Sequence, residues 1–152
     1  MADTVITIYT DGACEPNPGT GGWASIIVNG ETEETLVGSA TQTTNNRMEI
    51  LAALSALEVI RPSFSDRVVV VTDSKYLANG ASSWLAGWKQ RGWRTKQKAE
   101  VLNRDLWERL DAVLQRHAKQ SVKVEWQWQR GHVGHLYNER CDALATAAAR
   151  GK

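Results

Sequence analysis

The chain of 152 residues has the length of one domain and can bury a core without a metal or disulfide staple. Lys plus Arg is 18 against 17 for Asp plus Glu, a net charge of +1, so the overall balance gives no sign of a nucleic-acid partner. A content of 42% hydrophobic and 23% charged residues excludes a disordered tail or a low-complexity array, and no apolar run approaches the roughly 18 residues of a membrane span.

Met1-Ala2-Asp3-Thr4 has no basic n-region, and Cys14 and Cys141 lie far apart without CxxC spacing. A monomeric, cytoplasmic protein with free thiols and no membrane contact is expected. Residues 5–10 are β-branched and aromatic and predict a strand running into a turn at Asp11-Gly12. Residues 15–22, rich in Pro and Gly, read as a rigid loop. Residues 23–28 and 35–40 predict two further strands, with Asn29-Gly30 as a hairpin turn, which makes a three-strand antiparallel meander. Residues 45–60 are mostly strong helix formers, with Thr44 or Asn45 as N-cap and Pro62 as the stop, and apolar residues on both faces predict burial.

Residues 68–72 form a continuous β-branched run, the pattern of a central strand covered on both sides, and Asp73-Ser74 then caps a short helix. Strand, helix and strand form a βαβ unit, which makes the two strands parallel with a right-handed crossover. Leu102, Leu106, Leu110, Val113 and Leu114 predict an amphipathic helix ending near His117. Val122, Val124, Trp126 and Trp128 alternate through residues 122–129, a strand with one buried face. A Gly-containing loop over 130–137 leads into an Ala-rich helix at 138–150. The fold class is therefore α/β: one domain over residues 1–152, with a five-stranded mixed sheet flanked by helices.

This topology gathers acidic residues. Asp11 ends the first predicted strand and Asp73 follows the fourth, and parallel neighbours bring both carboxylates to the sheet edge where open α/β sheets bind ligands. Two antiparallel strands return the chain to that edge before the helix that carries Glu49, and Asp142 in the last helix is within reach. Four carboxylates together resist ionising unless cations sit among them, and an all-oxygen donor set selects Mg²⁺ or Mn²⁺ over zinc. Two such ions about 3.5–4 Å apart would activate water and stabilise the leaving oxygen in phosphodiester cleavage. Each acid also has a duller use: Asp-Gly turn, helix cap, solvated helix residue, polar edge of a packing face. Their joint placement favours the metal.

Residues 89–98 hold Lys89, Arg91, Arg94, Lys96 and Lys98 and no acid, a basic patch that the net charge hides. Trp84, Trp88 and Trp93 lie in or just before this segment and offer flat surfaces beside the cations; for Trp93 and Trp107 a core role is the preferred reading. Asn45 and Asn46 each offer both donor and acceptor groups at a helix start, where free backbone N–H groups also point outward.

Tyr9-Thr10-Asp11-Gly12-Ala13-Cys14, Asn17-Pro18-Gly19 and Gly21-Gly22-Trp23 open a series of motifs. Thr43-Thr44-Asn45-Asn46-Arg47-Met48-Glu49, Thr72-Asp73-Ser74, Gly131-His132 and Asn138-Glu139-Arg140-Cys141-Asp142 continue it. In this order they resemble the motifs of the bacterial type I ribonuclease H family over nearly the whole chain. The resemblance implies a ribonuclease H-like fold and an endonuclease that cuts the RNA strand of an RNA–DNA hybrid, leaving 5′-phosphate and 3′-hydroxyl ends. It implies that Asp11, Glu49, Asp73 and Asp142 are the catalytic metal ligands and that His132 assists proton transfer or product release. It further implies that Asn45 and Asn46 read the hybrid's minor groove and that Asn17 and Thr44 help hold a phosphate of the DNA strand. The segment with Trp84, Trp88, Lys89, Arg91 and Arg94 would grip the DNA strand.

Two positions depart from the family pattern: Lys75, where Gln is frequent and where a cation suits phosphate better than a base edge, and Leu136-Tyr137, in place of Pro-Glu or similar residues. A non-catalytic hybrid- or duplex-binding module, or a nuclease acting on DNA on the same fold, are the alternatives. The complete carboxylate set argues against the first, and Asn45-Asn46 with the basic segment against the second.

Overall fold

In a computed structural model of the chain, which describes residues 4–62, 66–130 and 136–151, the sheet runs in the order β3-β2-β1-β4-β5. Its strands are β1 (Thr4–Cys14), β2 (Gly19–Asn29), β3 (Thr32–Thr43), β4 (Asp66–Thr72) and β5 (Val124–Trp128). β1 pairs antiparallel with β2 and parallel with β4, β2 antiparallel with β3, and β4 parallel with β5. This is the predicted meander joined to parallel strands. The helices are α1 (Asn45–Val59), α2 (Lys75–Asn79), α3 (Leu85–Gln90), α4 (Arg104–Lys119) and α5 (Leu136–Ala149), with a π-helical turn over Gly80–Trp84 between α2 and α3.

The meander strands are longer than predicted, and the difference matters. β1 does not turn at Asp11-Gly12. It continues to Cys14, with Asp11 opposite Ala24 and Gly12 opposite Trp23, because Gly21 and Gly22 belong to β2 and pair with Cys14 and Ala13. On its other side the register with β4 stops at Tyr9 opposite Val71. Asp11 therefore stands on the overhang of β1, just past the end of its parallel neighbour. Gly12 is small because α1 comes down on it: a Cβ there would lie 2.7 Å from the Glu49 backbone nitrogen and 2.9 Å from the Met48 carbonyl carbon. At Gly22 a Cβ would lie 2.4 Å from the Ala145 carbonyl oxygen, so α5 presses equally close. Adjacent strand residues face opposite ways. Because Gly21 is crowded by Met48 and Gly22 by α5, the two helices cover opposite faces of the meander.

Burial of most of α1, which keeps a half-buried stripe of Arg47, Leu51, Ser55 and Glu58, follows from its Ala- and Leu-rich sequence, and Ile50, Leu54 and Leu57 join Ile8, Val68, Val70, Trp107 and Leu110 in one core. His117, in the last turn of α4, is buried with a ring nitrogen 3.0 Å from the Leu57 carbonyl oxygen, and burial lowers its pKa. Three local expectations are corrected. Leu102 lies before α4 and is 73% exposed, since the helix starts at Arg104. β5 is an edge strand of five residues whose alternation is weak: Trp126 is half-buried and Trp128 exposed. α5 begins at Leu136, so Leu136-Tyr137 is helix, not loop.

Gly12→Ala is expected to destabilise by about 1–3 kcal/mol, since the added methyl meets backbone atoms with no flexible side chain to yield. Urea unfolding checks this as a lower midpoint at unchanged slope.

Candidate active site

Each carboxylate is delivered by a different element. Asp11 projects from the β1 overhang, 8% exposed, and accepts from the Gly12 backbone N–H at 2.9 Å. Glu49 is reached through a capped helix start: Thr44 Oγ1 accepts from the Arg47 N–H, and Asn17 Oδ1 accepts from the Asn45 N–H, both at 3.2 Å. Asp73 follows β4, where Thr72 Oγ1 accepts from the Ser74 N–H and Ser74 Oγ caps α2 by accepting from the Leu77 N–H. Carboxylate oxygens of Asp11, Glu49 and Asp73 lie within 4.8 Å of one another.

Burial, then the neighbouring Asp73 and Asp142 charges, pushes the Asp11 pKa up to about 8, against the pull of the Gly12 N–H. Burial, then Asp11 and Asp73, holds Glu49 well above the ordinary carboxylate range. Glu49 is 3% exposed, and its Oε1 is buried with no hydrogen-bond partner. Such an oxygen fits a ligand that the protein itself does not supply, and three oxygen donors at this spacing fit a hard divalent cation. Asp142, two turns into α5 and on the face of the sheet opposite α1, is near enough for its charge to raise the Asp11 pKa, but it falls outside the 4.8 Å group. The four predicted acids are thus a close trio, with Asp11 and Glu49 buried and Asp73 half-buried, and a fourth beside Asp11. His132 and Gly131 lie outside the described residues.

A family model described as RNase H matches residues 3–150. The chain belongs to the ribonuclease H family. It is 52% identical over 140 residues to the Ribonuclease H of Alcanivorax borkumensis, covering 92% of this chain and 88% of that one. It is 49% identical over 146 residues to the Ribonuclease HI of Caulobacter vibrioides, covering 95% and 93%. Among solved structures it is similar to LC9-RNase H1, a type 1 RNase H with the type 2 active-site motif, with a TM-score of 0.79, 30% identity, and 99% and 74% of the two chains covered. It shares the fold of LC11-RNase H1, solved in complex with RNA/DNA hybrid, at a TM-score of 0.65 and 19% identity over 96% and 97%. Ribonucleases H are metal-dependent hydrolases, and the trio with its unpartnered Glu49 oxygen fits that chemistry.

Around this ribonuclease H site the remaining predicted residues fall into groups. Asn45, with Asp142 and Arg150, borders a surface cavity of about 440 Å³. Lys75 is exposed, its Nζ 4.9 Å from the centroid of the Trp128 ring, and the Trp128 indole N–H donates to the Asp73 carbonyl at 2.9 Å. Sequence alternation had placed Trp128 with the buried face, so its support of Asp73 went unseen. In the basic segment Trp84 is 41% exposed, while Trp88 is half-buried against Trp107, centroids 5.3 Å apart. Lys89 pairs with Asp111 at 3.1 Å. Arg91 donates to the Arg94 carbonyl, and Arg94 to the Lys98 carbonyl.

A further network was also missed. Arg47 holds Asp105 through both oxygens, at 2.9 and 2.8 Å, and donates to Asn103; Asn103 and Trp107 both donate to the Tyr76 hydroxyl. It fastens the α1 start to the aromatic base of the cationic segment. Only the pairing of α1 with α4 could have revealed it.

Folded Asp11 keeps its proton up to about pH 8, whereas an unfolded aspartate loses it near 4. Between those values the folded state binds the extra proton, so stability falls as pH rises. Calorimetry in EDTA is expected to show Tm decreasing from about pH 5 to pH 8, with Asp11→Asn flattening the slope and raising Tm at pH 8.

Proposed function

We propose that the chain hydrolyses the RNA strand of RNA–DNA hybrids endonucleolytically, with two divalent ions, Mg²⁺ foremost and Mn²⁺ as a substitute, leaving 5′-phosphate and 3′-hydroxyl ends. The observation that carries this reading is the buried Glu49 Oε1, without a partner inside a three-carboxylate cluster. Asp11, Glu49 and Asp73 would hold the ions, with Asp142 completing the set from α5. When bound, the ions supply a water of lowered pKa and a charge that stabilises the leaving oxygen.

The chain's own groups do the rest. Asn45 and Asn46 stand at the start of α1, where the amide side chains and the first backbone N–H groups can meet a 2′-hydroxyl and so favour RNA over DNA. Thr44 and Asn17, already joined to the same helix start, would help hold a phosphate of the DNA strand. Lys75 on its Trp128 platform adds a cation next to Asp73. His132 is assigned to proton transfer or product release on its sequence motif alone. Trp84, Trp88, Lys89, Arg91 and Arg94 form the DNA-strand grip, Trp88 acting as its anchor and Trp84 as its exposed face. LC11-RNase H1, of the same fold, was solved with such a hybrid, which supports this choice of partner.

End-labelled hybrid is expected to be cut in its RNA strand with Mg²⁺ and left whole in EDTA, with duplex DNA untouched. Asp11→Asn and Glu49→Gln should each slow cleavage by about 10³-fold or more, because several kcal/mol of transition-state stabilisation depend on the ions they hold. Cutting that survives EDTA would sink the metal mechanism. Lys89→Ala with Arg91→Ala should raise KM and lower the salt dependence of log K by at most about 1.8, two phosphates at roughly 0.9 each, with kcat nearly unchanged. A collapse of kcat at saturation would place the segment in the active site itself.

A further inference from the structure

Tyr137 departs from the family pattern, and the carboxylate chemistry leaves it without a task. Its ring stacks on Tyr9 of β1, with centroids 4.5 Å apart and planes 15° apart. Its hydroxyl donates to Glu33 of β3 at 2.6 Å. Arg140, one turn along α5, donates to the other Glu33 oxygen at 3.1 Å, and its guanidinium lies 5.4 Å from the centroid of the Tyr137 ring. Next to Arg140, the Cys141 thiol donates to the Tyr9 carbonyl at 3.3 Å. The first turns of α5 are thereby fixed to two strands.

What these contacts fix is the approach of Asp142 to Asp11. Tyr9 and Asp11 are two apart on β1 and so share a face, a step of about 6.8 Å. From Tyr137 to Asp142 is five helical residues, a rise of about 7.5 Å. The two segments advance together: Tyr9 meets Tyr137 and Cys141 at one end, Gly22 opposite Ala13 meets Ala145 at the other, and Asp11 and Asp142 fall between these contacts along their own segments. The geometry points to Tyr137 as a positioning residue that clamps α5 to β1 and β3 and so places the Asp142 carboxylate for the divalent cation shared with Asp11. This rests on the reading of the carboxylates as a cation site.

Calorimetric titration of metal-free protein with Mn²⁺, without substrate, tests it on wild type, Tyr137→Phe, Tyr137→Leu and Tyr137→Ala, each with and without Asp142→Asn. Phe keeps the stack and is expected to bind within about twofold of wild type, whereas Leu and Ala should weaken binding roughly tenfold, as loss of a ligand-orienting neighbour does. In the Asp142→Asn background the same changes should add nothing, because the clamp acts through Asp142. Hybrid cleavage at limiting Mn²⁺ should fall in kcat with KM unchanged. Leu retains apolar volume and helix propensity and carries the test should the Ala variant fail to fold. Wild-type affinity in both Leu and Ala variants, or an equal loss with and without Asp142, overturns the clamp while leaving the cation site standing. A wild type that binds no Mn²⁺ overturns both.

Discussion

Glu49 Oε1 is a carboxylate oxygen taken out of water and given nothing to bond with, and much of the surrounding architecture holds it there. A buried polar atom without a partner costs about 1–3 kcal/mol, more when charged, and two further carboxylates within 4.8 Å add repulsion. Left to itself, such a helix start would tilt or fray until the oxygen found water. Here it cannot. α1 is mostly buried from Met48 to Leu57, its first turn is capped by Thr44, and it rests on the bare backbone of Gly12. Protonation relieves the strain in the metal-free protein, which is what the raised pKa values of Asp11 and Glu49 express.

The sheet supplies the other half of the constraint. β1 is central, paired on both sides up to Tyr9 and then on one side only, so its overhang is rigid but open. Asp11 stands on that overhang, with Asp73 arriving from the end of the neighbouring strand and Glu49 and Asp142 from helices on opposite faces. Supports lie behind each of them: Trp128 on the Asp73 carbonyl, Arg47 with Asp105 at the start of α1, and the thiol of Cys141 on the Tyr9 carbonyl. That thiol, pushed up to about 12 chiefly by burial, is a packing group and not a nucleophile.

The meander, the parallel pairing of β1 with β4 and the edge that collects the acids were legible in the sequence, because β-branched runs, a hairpin turn and one long helix leave few topologies. The failures share a cause. Asp11-Gly12 reads locally as a turn, yet Gly12 is glycine because a helix from 36 residues later in the chain lies on it. Trp128 alternates like a core residue, but an edge strand has no second neighbour to bury it. Arg47 with Asp105, and Tyr137 with Glu33, join residues 58 and 104 positions apart, and no local pattern announces such pairs. Motif spacing located the acids without showing that Asp142 would stand apart from the other three.

The net charge of +1 looked indifferent to a polyanion, and the structure shows how the sum misleads. Lys89 is offset by a carboxylate, Asp111. Arg91 and Arg94 bond instead to backbone carbonyls, which are neutral, so their side chains are ordered in advance while their charge remains available. Ordering long side chains before a phosphate arrives removes part of the entropy that binding would otherwise lose. Three of the acids that balance the total are gathered at the one place where, under the proposed mechanism, divalent ions offset them. The loaded protein then presents an ordered cationic arm and a neutralised cleft to the same duplex, and neither is visible in a sum taken over the whole chain.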